Sequence, residues 1–300
     1  MPRNIEIEGT IVTISGKLLR KAAIHDEDWT AEADITDPRR IAQALQDNAA
    51  KVDVFTFTQK LPRTEPRYNF HYEWDNVAAI CTAKFEEWWE ELPQEARKNF
   101  RRSKKRGVAV RTFQLDDDAV RGIKAIYDEV PVRQGRPFAH FGKDFEIVKR
   151  EAATLADRSV FVGAFFGDQL IGFIRLVFMG EIASILNIIS MNAHYDKRPS
   201  NALIVAAAEM CRDRQVSYLL YGKYVYGRKL NSPLTEFKKR TGFRQIGVPR
   251  YYVPFTLRGR LYLSIGLHRR LVEILPPSLI DLLVGVRSSV LRHVRPAARS

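Results

Sequence analysis

The sequence has few cysteines and no long uncharged apolar run, and both shortages narrow the class of protein. Its 300 residues include only Cys81 and Cys211. They lie far apart and lack metal-ligand spacing, so neither a disulfide framework nor a zinc site is predicted. No window reaches the roughly 18 apolar residues of a membrane-spanning helix, because Glu273, Asp281 and Arg287 interrupt the best candidate. The N-terminus lacks the apolar core of a signal peptide, so we expect a cytoplasmic protein.

Several familiar catalytic patterns are also missing. The chain has no Ser-His-Asp order, no P-loop, no dinucleotide-binding fingerprint and no cluster of metal ligands. Neither cysteine has a histidine nearby in the sequence, so thiol catalysis is not expected. Cys211 lies among helical alanines and is expected in the core. Glycine and proline are too few for a disordered chain, and the length suits a globular protein with a sizeable core.

Positive charge is what the sequence has in excess, with a formal net charge of +13. Such an imbalance favours anionic partners, which here include CoA phosphates, tRNA or an anionic membrane surface. The densest basic segment is a predicted helix after Pro93, with Arg97, Lys98, Arg101, Arg102, Lys104, Lys105 and Arg106. Two interpretations stay open for it, a solvated helix face or contact with phosphates.

The order of the predicted elements indicates the fold class. Residues 107–255 read as β-α-α-β-β-β-α-β-α-β. Three consecutive strands at 159–191 are apolar enough to lie in the middle of a sheet. A short polar break then leads into a helix at 199–214, and the next predicted strand covers 216–225. A helix N-terminus that follows a strand in this way is suited to binding an anion.

Local strings add to this order. EWDNVAAI, the WW-containing helix and RKNFRRSKKRGVAVR are similar to the linker into the second lobe of Fem-type proteins, and FKKRTGFRQIGVPRYYVPF is similar to that family's last helix and strand. Residues 70–256 therefore resemble the GNAT acyltransferase superfamily, in the branch of Fem-type peptidyltransferases and BioF2-like acetyltransferases. The resemblance implies an α/β fold with a GNAT-like mixed twisted sheet and flanking helices at 107–256. We expect a reduced α+β lobe at 1–106 before it and a basic amphipathic helical tail at 257–300 after it.

The resemblance also implies a donor site. Backbone groups of the fourth strand, near Ile189 and Met191, would meet the pantetheine arm of acyl-CoA, and the next helix N-terminus would hold the pyrophosphate. The family pattern Q/R-x-x-G-x-G/A corresponds here to residues 197–202. The predicted donor ligands in it are Lys197, Arg198, Ser200 and Asn201.

This chain departs from that pattern, because Ser200 replaces the first glycine and Pro199 removes an amide donor. Three alternatives stay open for the segment. It binds acyl-CoA, it binds the aminoacyl-tRNA that Fem-type proteins use, or it is an ordinary capped helix.

Catalytic candidates follow from the chemistry of acyl transfer, which needs a deprotonated amine, a donor to the oxyanion and often an acid for the leaving group. Tyr221, Lys223 and Tyr224 lie where the fourth and fifth strands of such a sheet part. Strand alternation predicts Tyr221 and Lys223 on one face and Tyr224 with Tyr226 on the other. Tyr224 resembles the family's leaving-group acid in position, and Lys223 would stabilise an oxyanion or bind a phosphate. Aromatic packing is the competing explanation for the tyrosines.

Acceptor candidates come from two other segments. Glu73 and Asp75 lie in a strand-like stretch that borders the cleft in this resemblance, and Asp75 is the preferred carboxylate for holding an amine. Arg133 and Arg136 flank a glycine-containing turn and suit a carboxylate or phosphate on the acceptor. His140, in the same loop, is a candidate base, with an exposed or capping histidine as the alternative.

Taken with the resemblance, these residues predict an N-acyltransferase. It would move an acyl or aminoacyl group from acyl-CoA or aminoacyl-tRNA to an amine, on a small molecule or a cell-envelope precursor, without a metal. The alternative is a non-catalytic basic module that binds RNA or an anionic membrane. The tail either docks on its own domain or holds the protein peripherally at the inner face of the membrane.

Overall fold

The structure is a computed structural model that describes residues 2–29, 37–47, 51–227 and 232–268. Most of its strands form one mixed sheet. Its strands are β1 Arg3–Ile7, β2 Thr10–Ser15, β3 Lys21–Ile24, β4 Val54–Thr58, β5 His71–Cys81, β6 Val108–Phe113, β9 Ser159–Phe166, β10 Gln169–Met179, β11 Ile182–Ser190, β12 Tyr218–Leu220 and β13 Arg244–Pro254, and a separate hairpin consists of β7 Val132–Arg133 and β8 Arg136–Pro137.

Helices cover both faces of that sheet. They are α1 Pro38–Asp47, α2 Phe85–Glu91, α3 Gln94–Lys105, α4 Asp117–Tyr127, α5 Phe145–Ala152, α6 Pro199–Asp213, α7 Pro233–Arg240 and α8 Leu257–Ser264. None of the helices in the described ranges is both long and apolar enough to cross a lipid bilayer. The predicted tail is described only as far as residue 268, and the remainder of its predicted helices lies outside the described residues.

The sheet joins the two predicted halves of the chain. Its strand order is β1-β2-β3-β4-β13-β5-β12-β11-β10-β9-β6. β5, from the N-terminal half, pairs antiparallel with both β12 and β13, and β4 pairs with β13. The boundary predicted at residue 107 stays a prediction, and residues on both sides of it contribute to the middle of the sheet.

The two faces of the sheet differ in what covers them. One face, named here the α6 face, packs α6 together with α2, α3 and α7 against side chains such as Ala183 and Ile185 of β11. The opposite, α4 face packs α4 and α5 against Phe161 of β9 and Phe173 of β10. Because strand side chains alternate between faces, neighbouring residues on β10 and β11 serve different sides of the sheet.

The central strands agree with the sequence prediction, and other segments differ from it. β9, β10 and β11 lie where three apolar strands were expected, and β11 and β12 are neighbours as a GNAT-like sheet requires. Residues 4–24 alternate apolar and polar side chains, which predicts one β-hairpin, and in the structure they form three strands. The predicted loop after α4 contains the β7–β8 hairpin, because Gln134 and Gly135 both adopt the positive φ that a tight turn needs.

Candidate functional site

The site begins where β11 and β12 separate. The two strands pair in parallel for only three residue pairs, and Ser184 opposite Leu220 is the last. Next along the chain, the Tyr221 N–H donates to the Ala78 carbonyl, and the Ala78 N–H donates to the Gly222 carbonyl at 2.8 Å. The chain after β12 therefore follows β5, and beyond Ser184 no strand in the described ranges pairs with that edge of β11. We call this gap the open seam.

A β-bulge lies beside the open seam. Leu176 of β10 faces Ile185, whereas the next pair is Arg175 with Asn187, so Leu186 is the extra residue on β11. A bulge interrupts the ladder and redirects side chains. Its consequence here is that Asn187 stands directly opposite Arg175 and shares the lining of one cavity on the α4 face.

A carboxylate and a lysine meet on the far side of the open seam. The Lys223 ammonium donates to both oxygens of Asp75, at 2.7 and 2.8 Å. The Arg250 Nε donates to the same carboxylate at 3.3 Å, and its other end pairs with Glu27 at 3.1 Å. Asp75 is 14% exposed and Lys223 is 39% exposed. Two predicted site residues from opposite halves of the chain are thus in direct contact, with the lysine on the solvent side.

The contacts of Asp75 keep it ionised. Burial alone would raise the pKa of its carboxyl, but the hydrogen bond and charge of Lys223 outweigh that effect, with help from the Asn76 N–H and Arg250, so the pKa lies below its ordinary value. A carboxylate of low basicity that is already bonded to an ammonium is suited to holding a cation. It is poorly suited to removing a proton.

Lys238 of α7 is a residue of the site that the sequence analysis missed. Its side chain is fully buried, and its ammonium donates to the Lys223 carbonyl at 2.7 Å. It also lies 4.5 Å from the ring centre of Tyr221 and 5.1 Å from that of Tyr226. Burial lowers the pKa of Lys238 to about 8. The helix sequence carries no signal that sets Lys238 apart, because Lys239 and Arg240 follow it directly.

The tyrosines after β12 do not follow strand alternation, and the predicted faces were wrong. The strand ends at Leu220, because Gly222 takes a φ of 56°, which turns the chain. Tyr221 and Tyr224 both pack against the core of the α6 face, and only Lys223 reaches Asp75. Burial and the neighbouring Tyr226 raise the pKa of Tyr221 to about 12, so its phenol stays protonated at neutral pH. The acid role of Tyr224 stays a prediction.

The loop between β11 and α6 is fixed by α4 and the segment after it. Both oxygens of Glu129 accept backbone N–H groups, from Asn192 and Ala193 at 2.7 Å. Arg133 donates to the Glu129 carboxylate and to the Ser190 carbonyl. Arg133 thus stabilises the end of β11, and its side chain is mostly buried. Its role as an acceptor ligand stays a prediction.

The predicted donor ligands surround the first turn of α6. Arg198 takes the left-handed conformation at the N-cap, and Ser200 bonds through its hydroxyl to the Ser190 hydroxyl at 2.6 Å. The Lys197 ammonium lies over the ring of Phe166. Arg106, at the end of the basic helix α3, donates to the backbone and side chain of Asp196. The loop therefore offers cationic side chains to an anion. It also offers the backbone amides that remain, since Pro199 has no N–H and Glu129 binds two of the others.

The remaining predicted residues lie in β11, in the turn after it, in β5 and in the segment between α4 and α5. Ile189 and Met191 pack against the core of the α4 face, so only their backbone groups suit a donor arm. Glu73 bonds to His268 at 2.7 Å, and Arg136 is exposed on β8. His140 stacks on Tyr127 and lies 3.5 Å from the Glu151 carboxylate, and burial and the charge of Lys143 lower the pKa of its imidazole.

Comparisons with known proteins agree with this geometry. No protein-family model matches the sequence, and no curated protein matches it. The structure is similar to that of FemX, with a TM-score of 0.58 and 11% identity over 88% of this chain and 90% of that one. L-PGS from Bacillus licheniformis is similar with a TM-score of 0.56 and 11% identity over 88% of both chains. The C-terminal domain of an Agrobacterium fabrum protein named as a lysylphosphatidylglycerol synthetase is similar with a TM-score of 0.56 and 13% identity, over 88% of this chain and 87% of that one.

At such low identities the likeness concerns the fold. The likeness extends over 88% of this chain and 90% of the FemX chain, so it concerns most of both folds. The chain has a fold like that of FemX, as the resemblance of its sequence to Fem-type proteins predicted.

Proposed function

We propose that the protein is an N-acyltransferase that moves an acyl or aminoacyl group from acyl-CoA or aminoacyl-tRNA to an amine. The observation that carries the proposal is the open seam itself, with the first turn of α6 at one end and the Asp75–Lys223 pair across it. A free strand edge offers unpaired backbone groups to an extended donor arm. The helix N-terminus and its cations lie where the anionic part of that donor would bind.

The residues at the open seam would have different roles in this reaction. The amine nitrogen forms a bond to the acyl carbon, the bond from that carbon to the leaving sulfur or oxygen breaks, and the amine loses a proton. Two N–H groups of Lys223 bond to Asp75, which leaves one for the oxygen that gains negative charge. Lys238 acts through the Lys223 carbonyl and is a positioning residue. Tyr221 and Tyr224 are the nearest candidates for returning a proton to the leaving group.

The basic residues of α3 favour a donor that carries several phosphates. Ala96, Phe100 and Ser103 face the core, so most of its basic residues are exposed on the other side of the helix. Its last turn contacts the loop before α6 through Arg106 and Asp196. A long polyanion bound at α6 would therefore continue along α3, and tRNA suits that path better than the shorter CoA.

Donor binding is the first test. We expect isothermal titration to detect acetyl-CoA or an aminoacyl-tRNA, and tRNA affinity should fall steeply with salt because phosphate contacts release counterions. Replacing Lys104 and Lys105 with glutamine should weaken tRNA binding at least tenfold and reduce its salt dependence. The same replacement of Lys149, which is exposed on α5 away from the seam, is the matched control.

Transfer then separates an enzyme from a basic binding module. Incubation of the bound donor with a panel of small amines and peptides should yield an acylated amine detectable by mass spectrometry. If tRNA binds but no amine is acylated from any donor, the protein is an RNA-binding module. If neither donor binds at physiological salt, the transferase proposal fails.

A further inference from the structure

A cavity on the α4 face is lined by polar side chains that have no role in the transfer reaction described above. It has a volume of about 190 Å³ and lies beneath α4 and α5, against the strands β9 to β11. Its apolar walls include Ile123, Phe161 and Phe173, and its polar groups come from Tyr127, His140, Glu151, Thr154, Arg175 and Asn187. Most of its lining lies on rigid helices and strands, and a cavity with a few converging polar groups is the usual form of a small-molecule site.

Arg175 is the central polar group of this cavity. It interrupts an apolar central strand, and with 1% exposure it is among the largest fully buried side chains of the described chain. Its guanidinium donates to the Ser159 hydroxyl at 3.0 and 3.2 Å, to the Glu151 backbone carbonyl at 3.3 Å and to the Thr154 hydroxyl at 3.4 Å. Every one of these acceptors is neutral.

No carboxylate in the described ranges pairs with Arg175. The nearest acid on the cavity wall, Glu151, directs its carboxylate to the Lys143 ammonium at 2.6 and 2.8 Å. Buried arginines are normally paired with an acid, because an isolated buried charge is costly. Burial indeed lowers the pKa of Arg175, and the opposing effect of Tyr127 is smaller. The cavity therefore holds a fixed positive charge without a counter-ion from the described protein.

The Glu151 carboxylate is engaged by Lys143, and the other polar groups that line the cavity around Arg175 are neutral. The pKa of Tyr127 is raised to about 12, mainly by burial, so its hydroxyl is a donor at neutral pH. Asn187 stands opposite Arg175 across the β-bulge and offers an amide N–H₂. The imidazole of His140 stacks on Tyr127 at 4.6 Å, which places it at the same wall. A guanidinium, a hydroxyl and an amide around one cavity match the two oxygens of one carboxylate.

We propose that this cavity is a carboxylate-binding subsite, in which Arg175 is the counter-ion of a ligand that carries a carboxylate on a small apolar or aromatic body. The subsite adjoins β11, whose other edge lines the open seam, so a ligand seated here lies one strand, about 5 Å, from the seam. The inference concerns binding and stands whether or not the chain transfers acyl groups. If it does, the carboxylate belongs to the amine acceptor or to the acyl group.

The test compares a charged probe with its neutral isostere. Benzoate should bind the full chain in a titration and raise its melting temperature, and benzamide at equal concentration should bind at least tenfold more weakly. Equal binding of benzoate and benzamide would overturn the proposal, because the charge of Arg175 would then contribute nothing.

The decisive variant supplies an internal carboxylate. Removing Arg175 would leave several buried acceptors without donors, so Asn187→Asp is the better choice. It places an acid directly opposite Arg175, where opposite charges across a strand pair are favourable, so its melting temperature should equal or exceed that of the wild type. Benzoate affinity should fall at least tenfold. Asn187→Ala is the matched control without a charge, and its loss of benzoate affinity should be smaller than that of Asn187→Asp. Unchanged benzoate binding by a folded Asn187→Asp variant would contradict the proposal.

Competition identifies the source of the carboxylate. Displacement of benzoate by an amino acid or dipeptide, and not by the corresponding amine without a carboxylate, assigns the subsite to the acceptor. Displacement by succinyl-CoA, and not by acetyl-CoA, assigns it to the acyl group. Either result supports the subsite, and displacement by the uncharged partners equally well counts against it.

Discussion

Replacing Lys223 with alanine should lower kcat about 100- to 1000-fold in the transfer assay. One preorganised oxyanion donor contributes about 2.7–4 kcal/mol to the barrier, and Lys223 is a partly exposed cation with one N–H that Asp75 does not use. Its loss should cost the fold only about 1 kcal/mol, because Arg250 and the Asn76 N–H still bond to the Asp75 carboxylate. The measurement is kcat of the variant and of the wild-type protein with the same donor. The unfolding free energy of both proteins in urea is measured alongside.

The control for this prediction is Lys84→Ala. Lys84 is also a lysine in an ion pair, with Glu87, but lies at the surface away from the seam. That variant should retain both kcat and stability. If Lys223→Ala lowers stability in proportion to its rate, or leaves the rate unchanged, Lys223 serves the fold alone and the oxyanion role is wrong.

The second large effect concerns Lys238 and alkaline pH. Its pKa is lowered from 10.5 to about 8 by burial, so between those pH values the unfolded chain binds the proton more readily than the folded one. Stability should therefore rise as pH increases from 8 to 10.5. A difference of about 2.5 pKa units corresponds to about 3 kcal/mol of unfolding free energy.

Methionine at position 238 should remove this dependence, because the long apolar side chain fills the same space without a proton to lose. The measurement is urea unfolding of Lys238→Met and of the wild type at pH 8 and pH 10, read as the difference between the two pH values. Lys239→Met is the matched control, since Lys239 is exposed on the next position of α7, and it should keep the wild-type rise. A wild-type protein whose stability falls over this range relative to Lys238→Met would contradict a neutralised buried lysine.

The fold could be predicted from the sequence because its strongest signals are local. Three apolar strands and a helix beginning at Pro199 are properties of short segments, and each lies where it was predicted. The early end of β12 was not predicted, because Gly222 turns the chain only in the presence of β5, which binds its carbonyl. That contact joins residues about 140 positions apart and leaves no mark in a local pattern.

The site could be predicted in part, for the same reason. Asp75 and Lys223 were both proposed from their segments, but their pairing depends on β5 lying beside β12, which local patterns do not determine. Arg175 was missed although it is the single charge in an apolar strand, and Lys238 was missed because it lies among other charged residues of α7. For Arg175 the lone charge in a predicted core position was the signal, since burial of an unpaired cation is costly and seldom accidental.

We propose that the donor lies in the open seam between β11 and β12. Amide hydrogen exchange with and without the bound donor tests it directly, because protection reports which backbone groups the donor covers. We predict that the donor slows exchange at residues 185–190 of β11 and 200–202 of α6, with any effect on α3 smaller and removed by salt. Protection confined to α3, with β11 and α6 unchanged, would mean that the anion binds only the basic surface and would contradict the account.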